Sequence, residues 1–209
     1  VSPIDDSARR TGRLPRTARR RQLLDAALAV FVAQGYHAAA MDDIAEKAGV
    51  SKPVLYQHFP GKRELYLALL DESAESLLAA LRGAMASTTD NKARVKATVR
   101  AYYGFVSDDT GAFRLVFESD LIGEPEVRER VDSVGRKCAD MIAGVIAEDT
   151  GLPEAECRLL GAGLAGVAQV TARSWTTNGE SIGRDDAIEL VSSLMWRGIK
   201  GVPLRHDHP

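Results

Sequence analysis

Residues 42–59, DDIAEKAGVSKPVLYQHF, constrain this chain more than any other stretch. Asp42 to Ala48 has the pattern of a short amphipathic helix, with Ile44, Ala45 and Ala48 on its apolar side. Gly49 interrupts it, and Val50 follows as an apolar anchor. Ser51 is a good N-cap residue. Pro53 suits an early helical position, because a proline there gives up only an N–H that has no partner within the helix. Leu55 and Phe59, four residues apart, share one face of a second short helix. Two brief helices across a tight glycine turn form a helix-turn-helix pattern, whose second helix can enter the major groove of DNA. Lys52, Tyr56, Gln57 and His58 surround the apolar face of that helix. Lysine and glutamine can read base edges; tyrosine and histidine can donate to phosphates. An ordinary helical hairpin with a solvated polar face explains the same residues.

More of the chain bears on that choice. A long first helix ending in Phe31 is followed by Gly35-Tyr36, Ile44-Ala45, Ala48-Gly49-Val50-Ser51, Leu55-Tyr56, His58-Phe59, and Lys62 with Leu65. At this spacing, residues 20–70, about a quarter of the chain, resemble the N-terminal domain of TetR-type transcriptional regulators. The resemblance implies a three-helix DNA-binding head and a helical body that dimerises and binds an effector. Lys52 and Gln57 are then the expected base contacts, with Val54 against thymine methyl groups. Ser51, Tyr56, His58 and Lys62 are the expected phosphate contacts, and Arg16 and Arg19 are candidates for further backbone contact. The segment Ala38-Ala39-Ala40-Met41 departs from the family, which has threonine or serine before the second helix. Alanine cannot cap an exposed N–H, a local loss of about 1 kcal/mol that Asp42 and Asp43 offset in part.

The charge distribution agrees with a DNA-facing end. The net charge is −2, yet residues 1–70 hold eleven Lys/Arg against seven Asp/Glu, while residues 71–209 hold sixteen against twenty-two. Arg9, Arg10, Arg13 and Arg16 lie in a polar stretch with Pro3, Gly12 and Pro15, read as a flexible basic arm over residues 1–16. Such an arm either solubilises the chain or tracks phosphates. No apolar run is long enough to span a membrane and no secretory signal pattern is present, so a cytoplasmic protein is expected. Cys138 and Cys157 have no metal-ligand spacing and read as small buried residues. No cofactor or metal is expected. There is no GxSxG, CxxC, HExxH or Gly-rich phosphate loop to support an enzyme. A protein-interaction module whose head no longer reads DNA stays open as the alternative.

Apolar spacing elsewhere predicts an all-α fold. Helices are expected from Thr17, as N-cap, to Gln34; from Lys62 to about Ala86; through Val95–Val106 after an Asp90 cap; over Ala112–Leu121; and from Pro125 to about Asp149. Two more run from Pro153 to about Thr176 and from Arg184 to Ile199. The head is assigned to residues 17–64, the effector-binding and dimerisation body to 65–201, and a frayed tail to 202–209. The run Gly161-Ala162-Gly163-Leu164-Ala165-Gly166-Val167 lets another helix approach closely. Gly163, Val167, Val191 and Met195 are therefore expected at a homodimer seam, with packing inside one subunit as the other reading. A small hydrophobic effector is expected against Tyr102, Tyr103, Phe105, Phe113, Phe117, Met141, Val145 and Trp175, although aromatics at helical spacing also serve as plain core. The resemblance implies repression from a palindromic operator, released by the effector; activation uses the same docking.

Overall fold

The computed structural model describes residues 14–108, 111–117, 121, 123–178 and 181–199. Among them the regular structure is helical: α1 Arg16–Ala38, α2 Met41–Lys47, α3 Lys52–His58, α4 Lys62–Ala86, α5 Asn91–Val106, α6 Ala112–Phe117, α7 Pro125–Thr150, α8 Glu154–Asn178 and α9 Arg184–Ile199. The all-α reading holds, and α4 and α9 have the limits that their apolar spacing predicts. The arm up to Arg13 and the tail 202–209 lie outside the described residues.

Several local expectations are corrected. Pro15, not Thr17, stands at the N-cap of α1, and Thr17 is inside the helix. Gly35 breaks α1 as predicted, at φ 75° and ψ 165°, but helix resumes to Ala38. Ala40 makes no cap bond to α2, and Ser51 occupies the N-cap position of α3 without a side-chain bond either. Asp90 does cap α5, its carboxylate accepting from the Ala93 N–H at 2.7 Å. The sixth helix is described over Ala112–Phe117 and Leu121 lies in a turn, while residues 118–120 of the expected span lie outside the described residues.

One apolar core runs through the molecule. Leu23, Leu24, Ala27 and Phe31 of α1 bury against Ile44 of α2 and Leu55 of α3. The same cluster continues through Leu65, Leu70 and Leu77 of α4 to Val99 and Tyr103 of α5 and Ile188 of α9. Each such large apolar side chain contributes about 2 kcal/mol by leaving water. Two seven-residue helices with few caps are too short to stand alone, so the head's fold rests on this burial.

Two close approaches set how the helices sit. At Gly161 an added methyl would meet the Ala139 carbonyl oxygen and lie 3.0 Å from the Ala143 amide nitrogen, so α7 and α8 pack backbone to backbone there. Gly111, at φ 76° in the link before α6, touches α1: a methyl there would lie 2.7 Å from a Val32 methyl. The α7–α8 approach gives a paired test. Gly161→Ala should lower the urea-unfolding free energy by about 1–3 kcal/mol through overpacking. Gly144→Ala, where nothing lies within 4 Å of the new methyl, should raise it by up to about 1 kcal/mol. Equal effects in both would contradict the packing.

Candidate nucleic-acid interface and effector cavity

The turn between α2 and α3 is built by backbone hydrogen bonds. The Gly49 N–H donates to the Glu46 carbonyl at 2.9 Å and the Val50 N–H to that of Ala45 at 3.0 Å, the paired bonds of a Schellman motif. Gly49 sits at φ 64°, where a side chain would be strained. From α1, Gln22 Nε2 donates to the Ala48 carbonyl at 2.7 Å and grips the turn. Leu55 and Phe59 point into the core, with the Arg20 guanidinium 5.1 Å above the Phe59 ring. Anchoring that face turns the other outward: Ser51, Lys52, Tyr56 and Gln57 are exposed, and Val54 and His58 are half-buried. The predicted base and phosphate contacts on α3 therefore share one surface.

Electrostatics distinguish these residues. Lys52 Nζ lies 2.5 Å from Asp42 Oδ2, and the hydrogen bond to that carboxylate raises the lysine pKa. Both groups are more than half exposed, so the pair steers the ammonium more than it stabilises the fold. His58 is the reverse case. Burial first, then the charges of Arg16, Arg19 and Arg20, lower its pKa from 6.5 and favour the neutral ring. The first turns of α1 and the end of α3 thus form one electropositive edge.

Lys62 departs from its expected role. Its ammonium donates to the carbonyls of Tyr36 at 2.8 Å, His37 at 3.2 Å and Ala39 at 2.8 Å, and lies 4.6 Å from the centroid of the Tyr36 ring. An ammonium has three donors, and all three are spent on the carbonyls around the end of α1. Tyr36 packs in turn on Phe31 and on Tyr66 of α4. Lys62 is a staple between α1 and α4 instead of a free phosphate contact.

In the body, a cavity of about 250 Å³ lies among α4, α5, α7, α8 and α9. Val95, Ile142, Val145, Ile146, Leu164 and Met195 form most of its apolar wall, and Asn91, Arg94, Asp149 and Thr150 supply its polar groups. Arg94 is held there by Asn91 Oδ1 at 2.7 Å and Asp149 Oδ2 at 3.3 Å. Met85, on the same wall, is about 35 Å along α4 from Lys62. A second, more open cleft of about 450 Å³ lies between α7 and α8 over Tyr102. Of the expected effector contacts, Val145 lines the cavity and Tyr102 the cleft. Tyr103 and Phe113 are buried core, and Phe105, Met141 and Trp175 pack against that core, so these five line neither space. The Tyr103 and Trp175 rings lie 5.6 Å apart, filling volume rather than bounding it. The Phe117 side chain lies outside the described residues. Sequence reasoning missed Arg94, Asn91 and Asp149, which come together from opposite ends of different helices.

The seam expectation is also revised. Val191 and Met195 are buried in their own subunit, 9% and 7% exposed. Val167 is half-buried and Gly163 exposed. The apolar side chains that α8 and α9 turn outward are Leu159, Val170, Leu190 and Leu194, 61–75% exposed. Leu190 and Leu194 form their own i, i+4 stripe beside the Val191–Met195 stripe, so periodicity did not choose between them.

Residues 23–69 match the family model described as bacterial regulatory proteins, tetR family. The chain is 45% identical over 196 residues to the HTH-type transcriptional activator FasR of Mycolicibacterium smegmatis, covering 94% of this chain and 90% of that protein. It is similar in structure to a TetR-like transcriptional regulator from Rhodococcus sp. RHA1, at TM-score 0.71 and 28% identity over 90% of this chain and all of that one. It also shares its fold with the Bacillus subtilis regulator FadR, solved in complex with stearoyl-CoA, at TM-score 0.68 and 20% identity over 87% of this chain and 98% of that one.

Two measurements follow from the head. The depressed His58 pKa means that the unfolded chain takes up this proton more readily than the folded head. Stability is therefore lost as pH falls through about 6.5. A phosphate beside His58 acts the other way, so duplex affinity should rise as pH is lowered from 8 to 6, by up to tenfold per unit of pKa increase. His58→Gln should flatten that profile; an unchanged profile would remove His58 from the interface. Lys62→Met should cost about 1–2 kcal/mol of stability and leave the salt dependence of DNA binding unchanged. A slope smaller by about one would restore the phosphate role.

Proposed function

Since the chain belongs to the TetR family of bacterial regulatory proteins, and is therefore a DNA-binding transcriptional regulator, we propose that it reads an inverted-repeat operator as a homodimer under the control of a small hydrophobic effector. The observation that carries this reading is the shared outward face of α3, with Lys52, Tyr56 and Gln57 exposed beside the arginines of α1. Lys52 and Gln57, with Val54, take the base-edge role. Ser51, Tyr56, His58, Arg16 and Arg19 take the phosphate role. One seven-residue helix reaches few base pairs, so two heads about 35 Å or a multiple apart are needed for a selective site.

The subunits meet through α8 and α9. Leu159, Gly163 and Val170 recur on one face of α8, and Leu190 and Leu194 extend an apolar strip on α9. Burying these side chains against a second copy removes the exposed apolar surface, and Gly163 lets the helices come close. In this division of labour residues 17–64 read DNA and residues 65–201 bind the effector and dimerise.

The effector occupies the cavity walled by Val95, Ile142, Val145 and Leu164. Its apolar wall suits an alkyl chain, and Arg94 suits an anionic head. A fatty acyl thioester has both parts, and the stearoyl-CoA in Bacillus subtilis FadR is a molecule of that kind. Because FasR of Mycolicibacterium smegmatis is named an activator, activation replaces repression as the proposed sign, with the effector lowering operator occupancy.

Selection from random duplexes should recover an inverted repeat. Lys52→Ala should alter preference at one or two base pairs, while Tyr56→Phe should weaken every sequence alike. Titrating stearoyl-CoA should then release the selected duplex from the wild type and not from Val145→Trp, whose ring fills the cavity. A selection that enriches nothing from folded dimer overturns the operator reading. Release that is unaffected by Val145→Trp moves the effector elsewhere.

A further inference from the structure

Asp42 has no role in the operator reading, yet it stands where the reading helix begins. The glycine turn folds α3 back on α2, so that Lys52, the first residue of α3, meets the first turn of α2. Lys52 Nζ donates to Asp42 Oδ2 at 2.5 Å. An ion pair this exposed adds little to stability, because water screens it and both side chains lose freedom in making it. It lies on the same outward surface as Tyr56 and Gln57, which gives it another use.

Charge makes Asp42 costly on a surface that only grips phosphates. A carboxylate repels the DNA backbone, and by neutralising Lys52 it cancels the counterion release that a free ammonium would contribute. The pair suits a base edge instead. One of the three ammonium donors is spent on Asp42, and two remain. Asp42 Oδ1 makes no hydrogen bond among the described residues. The surface thus carries donors and an acceptor side by side. In the major groove a G·C pair offers guanine N7 and O6 as acceptors and the cytosine N4–H as a donor. An A·T pair puts thymine O4 in place of that donor, so it would face the carboxylate acceptor to acceptor. The match also has a direction, so the reversed C·G pair is disfavoured.

We infer that Asp42 is a specificity-determining residue: together with the Lys52 ammonium that it holds, its carboxylate reads one G·C base pair, lysine on the guanine and aspartate on the cytosine amino group. The inference rests on the operator reading, with α3 in the major groove.

The test is selection from random duplexes with the full-length wild type, Asp42→Ala, Lys52→Ala and the double variant. Each half-site of the wild-type repeat should contain one G·C pair that both single variants cease to require, with discrimination there falling about tenfold. The double variant should lose about as much as either single one, because the two residues act on one base pair as a unit. N4-methylcytosine at that pair removes the groove-facing N–H. It should weaken the wild type about tenfold and leave Asp42→Ala unaffected. On an unrelated duplex Asp42→Ala should bind more tightly, with a salt slope steeper by about one per head, because the freed ammonium then meets a phosphate. Three outcomes overturn the inference and leave the operator reading intact. Asp42→Ala may weaken all duplexes alike, as the loss of a helix-start charge alone would do. It may strengthen all alike with its base preference unchanged, as relief of simple repulsion would do. The wild type may be indifferent to N4-methylcytosine. A folded wild type that selects no inverted repeat overturns the operator reading, and this inference with it.

Discussion

The ammonium of Lys62 on the carbonyls of Tyr36, His37 and Ala39 is the contact on which the placement of the head depends. A helix end leaves carbonyls without partners, and a cation there satisfies both the hydrogen bonds and the dipole. Here the cation comes from the first residue of α4. One side chain therefore closes the end of α1 and fixes the start of the helix that runs into the body. The Phe31–Tyr36–Tyr66 aromatic cluster packs beneath it, with rings 5.2–5.8 Å apart. The direction of α4 relative to the reading helix is thereby set by local chemistry rather than by the linker alone.

The head was legible in the sequence because its signals are redundant. Gly49, the Val50 anchor, and the Leu55–Phe59 stripe each point to the same turn and the same inward face, and the hydrogen bonds and burial agree. The limits of α4 and α9 were legible for the same reason. Lys62 was not, because a lysine at a helix start reads alike whether its ammonium faces a phosphate or the carbonyls of a helix more than twenty residues earlier. On α9 two i, i+4 stripes lie side by side, and only the three-dimensional packing decides that Val191 and Met195 turn inward while Leu190 and Leu194 turn out.

The body shows the limit of reading aromatics as a pocket. Tyr103 and Phe113 have the spacing and chemistry of lining residues, yet they are solid core. Space remains instead where side chains are aliphatic or small, and its polar groups come from helix ends. Arg94, near the start of α5, meets Asp149, near the end of α7, across 55 residues of sequence. No local pattern encodes that meeting.

The contact between Gly111 and Val32 gives the head a second bearing. With α4 clamped to α1 at Lys62 and the link before α6 resting on α1 at Val32, two supports some distance apart add to the core that the head shares with α4. A disturbance in the body that moves α4 and α6 together would carry the reading helix along an arc. One that moves either alone would be resisted as strain at the other support. Movement of the head is thus coupled to α4 and α6 together, and residue 111 leaves no room for even one methyl group between them.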